Sequence, residues 1–445
     1  MNTLVQQTIG WVDNRTGLRT AIRKFFLEDV PASTGWPQVF GSVALFLLLN
    51  QALTGILLAF NYSPGPGDAY SSLTYIIHQV AAGHLMRGLH HWGSTLMIIV
   101  VACHMLQVFV YGAYKKPREV TWALGVVLLL ITLGFGLTGY LLPWDNKAYW
   151  GTVVTTQITQ QVPFAGAYIS TLIGAANGVG ALTFARFYAL HTLVLPALMI
   201  FTVAAHLTLV RRHGVAPAAP DDQHKRPFYP HQLFHDVVAI FIAFLALFLA
   251  AALIDVPLER MADPTDTTYV PRPEWYFLFL FQSLKFFHGP FEVVGSVGLP
   301  TVAILAMLAI PFIDRGRMRK LTERTAAIAV AILTIAGWSS LTLAAVASTP
   351  ASLTSPPPTA LDSKLVAKGA VLYVKAGCDS CHQVNGVGGH IGPALNRVAK
   401  RRSKEWIERH FVAPGALSPG SIMPPYRFPK EDQDALVTYL FSLPD

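Results

Sequence analysis

Along most of this chain apolar residues do not alternate with polar ones; they come in long runs. Seven runs, at 37–60, 88–111, 120–142, 187–210, 234–255, 293–313 and 325–347, each reach about twenty residues or more. That is the length a helix needs to cross a hydrocarbon layer of about 30 Å. The pattern therefore predicts seven membrane-spanning helices. Ser348–Ser363 (STPASLTSPPPTALDS) then breaks the periodicity with Pro, Ser and Thr and reads as an extended tether. Beyond it, short helical patterns at 364–376, 403–412 and 430–442 predict a small soluble domain.

The expected fold is all-α. Its divisions are an amphipathic segment 1–36, a four-helix bundle 37–226, three further helices in 227–347, a linker 348–363 and a soluble domain 364–445. Two loops, about 143–186 and 256–292, are long and carry apolar stretches too short to span, so they read as functional surface helices.

Composition agrees: 53% of residues are hydrophobic and 13% charged, against about 25% charged in soluble chains. The first thirty or so residues are polar and amphipathic, with no signal-peptide pattern. The net charge of +8 could suggest nucleic acid, but its placement argues otherwise. Sixteen of the 33 Lys and Arg fall in the N-terminal tail and the even-numbered loops, and six in the three loops opposite. This is the positive-inside pattern, so the expected partner is a lipid bilayer and no nucleic acid. It places the N-terminus in the cytoplasm and, after seven crossings, the soluble domain on the far side.

The apolar runs hold a specific chemistry. The first four contain no Asp, Glu, Lys or Arg; besides Cys103 and tyrosines, their ionisable groups are His90, His91, His104, His191 and His206. Cys103 reads as a small packing residue. His90 and His104 are 14 residues apart, and His191 and His206 are 15 apart. Either spacing puts two rings on one helix face, about 21 Å apart along the axis. Two such helices offer two stacked His/His pairs, His90 with His191 and His104 with His206, suited to two six-coordinate haems. A lone membrane histidine is more simply a packing residue; two matched pairs are not. Gly41 and Gly55, and Gly125 and Gly139, repeat the 14-residue spacing and would let a flat macrocycle approach the backbone. Arg87 and Arg186 lie just outside the first pair, as partners for haem propionates or as interfacial anchors.

The segments RGLHHWGSTLMIIVVACH, LTGYLLPWDNKAYWG and LTFARFYALHTLVLP resemble cytochrome b of the quinol:cytochrome c oxidoreductases, over about residues 30–345. The second spacing and the helix count look more like the photosynthetic-type branch, with its two short subunits fused. In that branch a first-span cysteine tethers an extra haem; Val39 holds its place here, so that haem is not expected. The resemblance also suggests a homodimer in a bacterial cytoplasmic membrane.

Pro273-Glu274-Trp275-Tyr276 matches the family's PEWY motif at the outer quinol-oxidation site. Oxidising a quinol releases two protons, and a carboxylate at the mouth of an apolar pocket can accept one. Without the resemblance, Glu274 would read as an interfacial acid. Tyr140, Gly151 and the segment around Trp150 are expected to line the same pocket, while Phe279–Phe291 departs from the usual pattern. For quinone reduction on the inner side, Arg211 and Asp236 stand near the inner pair; each could equally be an anchor or a helix cap.

Cys378-Asp379-Ser380-Cys381-His382 is CxxCH, the attachment motif of a covalent c-type haem with His382 as proximal ligand. Met423, in SIMPPY, is the domain's one methionine and the natural sixth ligand. The sequence thus predicts a fused cytochrome b–cytochrome c subunit. It would work with a separate Rieske iron–sulfur protein, the quinone pool and an electron acceptor beyond the c haem. The rivals are a non-bifurcating quinol dehydrogenase, a membrane electron conduit without a quinol site, and a sensory haem protein.

Overall fold

The computed structural model describes residues 3–217, 224–259, 261–264, 269–316, 320–348, 363–389, 392–418, 421 and 423–443. The linker read at 348–363 lies almost wholly outside them. Among the described residues, seven helices are long and apolar enough to cross a membrane: Trp36–Ala59, Gly83–Val110, Glu119–Tyr140, Ala181–His213, His231–Leu253, Gly289–Ile313 and Thr325–Ala347. The second and fourth begin several residues before the hydropathy rises. Hydropathy reports where a helix meets lipid, and both helices continue outward through the polar turns that hold Arg87 and Arg186.

The first span packs on the second and the third on the fourth; the fifth leans on the second and the sixth on the third. Leu49, Phe201 and Leu253 are 64%, 75% and 77% exposed, apolar outward faces of the kind lipid solvates. The two long loops lie together at one end of the bundle, the end that the charge pattern predicts to be the outer one. Between spans three and four lie helices Asn146–Gln160 and Gly166–Leu172; between five and six, a tight turn Trp275–Phe277 leads into Leu278–Leu284. Leu141, Trp144, Tyr149, Phe184 and Phe187 form a buried cluster beneath the first of these loops. Asp29–Pro31 pairs antiparallel with Lys225–Pro227 at the opposite end.

The fourth span is not uniform. Leu190–Val194, which contains His191, is a π turn in which the Leu195 amide reaches the Leu190 carbonyl. Pro196 follows, with no N–H to donate four residues back, so the helix widens there. In the C-terminal part, helices Ser363–Lys375, Lys404–Val412 and Lys430–Ser442 fall where the periodicity puts them. Tyr373, Val398, Ile407, Phe411, Leu436, Val437 and Leu440 form their core, with Cys378 and Met423 packed at its edge.

Candidate functional site

The His90 and His191 rings face each other with centroids 6.3 Å apart. Two metal–imidazole bonds of roughly 2 Å on opposite sides of one ion put ring centroids roughly 6 Å apart, so the pair fits a shared metal. A Cβ on Gly55 would lie 3.1 Å from the His90 ring and one on Gly139 2.6 Å from the His191 ring. The inner pair repeats the plan: Gly41 faces His104 at 3.6 Å and Gly125 faces His206 at 3.8 Å. Each of the four glycines thus sits against one of the four histidines.

The outer rings are also oriented from behind. Thr54 Oγ1 lies 3.0 Å from His90 Nδ1, and Thr138 Oγ1 lies 3.1 Å from His191 Nδ1. Both hydroxyls already donate to backbone carbonyls, Thr54 to Asn50 at 2.7 Å and Thr138 to Gly134 at 2.8 Å. They therefore accept from the rings, which places the proton on Nδ1 and leaves each Nε2 free to ligate. The sequence reading missed both threonines, yet the signal was there: Leu-Thr-Gly occurs at 53–55 and again at 137–139.

The two arginines read as propionate partners or interfacial anchors both donate to loop carbonyls. Arg87 donates to the carbonyls of Val256 and Pro257, both at 2.9 Å. Arg186 donates to those of Thr171 and Leu172. Both tie outer loops to span ends, because a buried or half-buried guanidinium finds loop carbonyls that lack other donors.

At the outer end a cavity of about 160 Å³ is lined by Gly136, Tyr140, Gly151, Pro273, Glu274 and Tyr276, with apolar residues of Phe277–Leu284 closing it. The third residue of the motif, Trp275, packs its ring against Trp338 of the seventh span at 5.9 Å and is not among the lining residues. Trp150 likewise packs on the cluster below the loop. Glu274 Oε1 lies 2.8 Å from Lys147 Nζ, a partner the sequence reading did not consider. The Tyr140 hydroxyl lies 2.8 Å from the Lys147 carbonyl and 2.7 Å from that of Arg272, its one proton shared between the two loops. Burial, reinforced by the Glu274 carboxylate, pushes the Tyr276 phenol up, so it remains a hydrogen-bond donor at the cavity wall. Asp145 caps helix Asn146–Gln160 through the Ala148 amide at 2.8 Å and also accepts from the Glu259 amide at 3.0 Å. Burial raises its carboxyl to about 6 despite those two bonds.

At the inner end the capping alternative for Asp236 falls away, because the fifth span starts at His231 and Asp236 lies in its second turn. Its carboxylate accepts from Ser42 at 3.0 Å and Gln232 at 2.9 Å. Ser42 adjoins Gly41, which faces His104. Arg211 pairs with Glu28 of the N-terminal segment.

In the C-terminal domain His382 Nδ1 donates to the Pro393 carbonyl at 2.8 Å, so its Nε2 is also the free nitrogen. A Cβ on Gly392 would meet that ring at 2.4 Å. Cys378 and Cys381 are both free thiols beside it, as thioether attachment requires. The donor set fits a covalent haem.

Comparison with known proteins identifies the families to which the two parts of the chain are similar. The family Cytochrome b/b6/petB matches residues 29–214, Cytochrome b(C-terminal)/b6/petD matches 261–358, and Cytochrome c matches 366–444. A cytochrome bc complex cytochrome b subunit of Chlorobaculum thiosulfatiphilum is 36% identical over 315 residues, 69% of this chain and 73% of that one. The menaquinol:cytochrome c reductase cytochrome b subunit of Geobacillus thermodenitrificans is 39% identical over 221 residues, 48% of this chain and 99% of that protein. A solved structure, a hyperthermophilic respiratory Complex III, superposes with TM-score 0.69 at 27% identity, covering 77% of this chain and 91% of that one.

A membrane-spanning haem bundle followed by a c-type domain defines a subunit of a bc or b6f-type quinol:cytochrome c oxidoreductase. The chain belongs to the cytochrome b family, with a cytochrome c domain fused at its C-terminus.

Proposed function

We propose that this chain oxidises quinol in the cavity beside Glu274 and divides the two electrons. One leaves to a separate Rieske iron–sulfur protein and then to the tethered c haem, held by Cys378, Cys381, His382 and Met423. The other crosses the membrane through a b haem at His90/His191 and a second at His104/His206, and reduces quinone near Asp236 and Arg211. Both quinol protons are released on the outer side, one of them through Glu274. The c haem passes its electron to a soluble or membrane-bound acceptor.

The observation that carries this reading is the continuity of one helix. Gly136, Leu137 and Tyr140 of the third span line the cavity, while Phe135, Thr138 and Gly139 of the same turns touch His191. A quinol in that cavity would lie one helix thickness from the outer His pair. Two of the similar proteins are menaquinol:cytochrome c reductases, which favours menaquinol as substrate. Orientation follows the charge asymmetry, with the N-terminus in the cytoplasm of a bacterium and the c domain outside.

The test is quinol-driven b-haem reduction in the purified complex, with the Rieske protein present or removed. A b-haem reduction that needs the oxidised Rieske centre and is lost in Glu274→Gln supports division of the electrons. Full-rate b-haem reduction without the Rieske protein, indifferent to Glu274, would make the chain a simple conduit.

A further inference from the structure

The Lys147–Glu274 pair is not an ordinary surface ion pair. Its two side chains are only 28% and 20% exposed, and Glu274 lines the outer cavity. Lys147 lies in the first turn of helix Asn146–Gln160, whose start is fixed by the buried Asp145 cap. Its carbonyl shares the Tyr140 hydroxyl with Arg272, two residues before Glu274, and its ammonium lies 5.8 Å from the Tyr140 ring. The cation is therefore held on a rigid element and aimed at one carboxylate oxygen. Among the described residues, the titratable groups that feel the Glu274 charge include His91 from the second span, Tyr140 from the third and Tyr276 from its own turn.

We infer that Lys147 is a positioning residue for quinol oxidation: it holds the Glu274 carboxylate as an anion at the cavity wall and speeds release of the proton that it accepts. The inference rests on the quinol-site reading given above. An unpaired carboxylate against apolar walls favours its neutral form, and a neutral acid cannot accept the quinol proton. A fixed cation reverses that preference. In the step itself a quinol O–H bond breaks, an O–H bond forms on Glu274, and the accompanying electron leaves to the oxidised iron–sulfur partner. Lys147 then faces a neutral acid, a pairing that favours loss of the proton to water and restores the ion pair.

The experiment compares wild type, Lys147→Met, Lys147→Arg and Glu274→Gln in the purified complex with its Rieske protein. Quinol-driven c-haem reduction is followed from pH 5.5 to pH 8.5, roughly the range where such limbs fall. Lys147→Met should move the acid limb of kcat up by about one pH unit, about tenfold in rate on that limb. KM for quinol should change by less than about twofold, since the lysine does not touch substrate. Lys147→Arg should keep the wild-type profile. If Lys147→Met disturbs the b-haem bands, Lys147→Gln takes its place. Profiles that superimpose at every pH overturn the inference, as does an equal loss in Met and Arg variants at every pH, which would mean packing alone. Wild-type rates in Glu274→Gln would instead remove the quinol-site reading itself.

Discussion

The hydroxyl oxygen of Tyr140, at the end of the third span, lies 2.7 Å from the carbonyl oxygen of Arg272, the residue before Pro273. This one contact clips the loop carrying Glu274 to the span whose preceding turns touch His191. A Cβ on Gly151 would come within 2.5 Å of the Tyr140 ring. Gly151→Ala should therefore displace a ring that is fixed at both ends. We expect quinol oxidation to fall at least about tenfold, as a misplacement of about 1 Å does in positioned sites. Tyr140→Phe, which keeps the ring and loses the clip, should show a smaller loss. Steady-state turnover of the complex, with b-haem spectra as a check on assembly, reads both.

Thr54→Val and Thr138→Val remove the acceptors behind His90 and His191 without changing volume much. Ring orientation and the preferred tautomer are then no longer enforced. Retention of the outer b haem should weaken, on the order of tenfold per site, and the double variant more. Haem content after detergent washing, with the inner haem as internal reference, measures this. Equal loss of both haems would mean that the threonines support the bundle and not the outer ligands.

In the C-terminal domain, Met423→His exchanges a thioether for an imidazole. The thioether favours ferrous iron, so the c-haem midpoint potential should drop by on the order of 0.1 V or more. A redox titration at the c-haem α-band reads the change, and an unchanged potential would show that another residue is the sixth ligand.

Asp314 sits where the sixth span ends and gathers Lys115 at 2.7 Å, Tyr114 at 2.5 Å and Arg324 at 3.1 Å. Burial opposes its ionisation, but the bonds from Lys115, Tyr114 and Arg324 outweigh it and hold the carboxyl below its usual range. A carboxyl with a lowered folded value stabilises the protein above the unfolded value, about 3.9, and loses that contribution as pH falls through the folded value. The contribution is thus complete at neutral pH and disappears only in acid. Asp314→Asn should cost about 1–2 kcal/mol at pH 7, discounted because the carboxylate is partly exposed, and the difference from wild type should shrink only at an acid pH below the folded value. Thermal melting of the detergent-solubilised complex at both pH values checks the sign.

Much of this molecule was legible in its residues. Long apolar runs mark spans because lipid solvates their outer faces, and the histidines stand out because no Asp, Glu, Lys or Arg shares the first four of those runs. CxxCH with a single later methionine is similarly local. What the sequence did not display are contacts that only folding creates. Lys147 reads as one more loop cation until the Asp145 cap turns it towards Glu274. Trp275 reads with its motif until the turn places it against Trp338. Each miss joins residues far apart in sequence, or depends on which way one tight turn faces.

The repeated Leu-Thr-Gly has a consequence for what happens at the outer His pair. Each ring has the same hydroxyl behind it and the same glycine beside it, one set from the first span and one from the third. In the proposed ligation the metal would feel matched pulls from its two sides. A centre balanced in this way has no preferred side to shift towards when its charge changes by one. Under that ligation little of the surrounding protein would have to move when an electron arrived or departed, and the outer pair would be a fast relay and a poor place to trap charge.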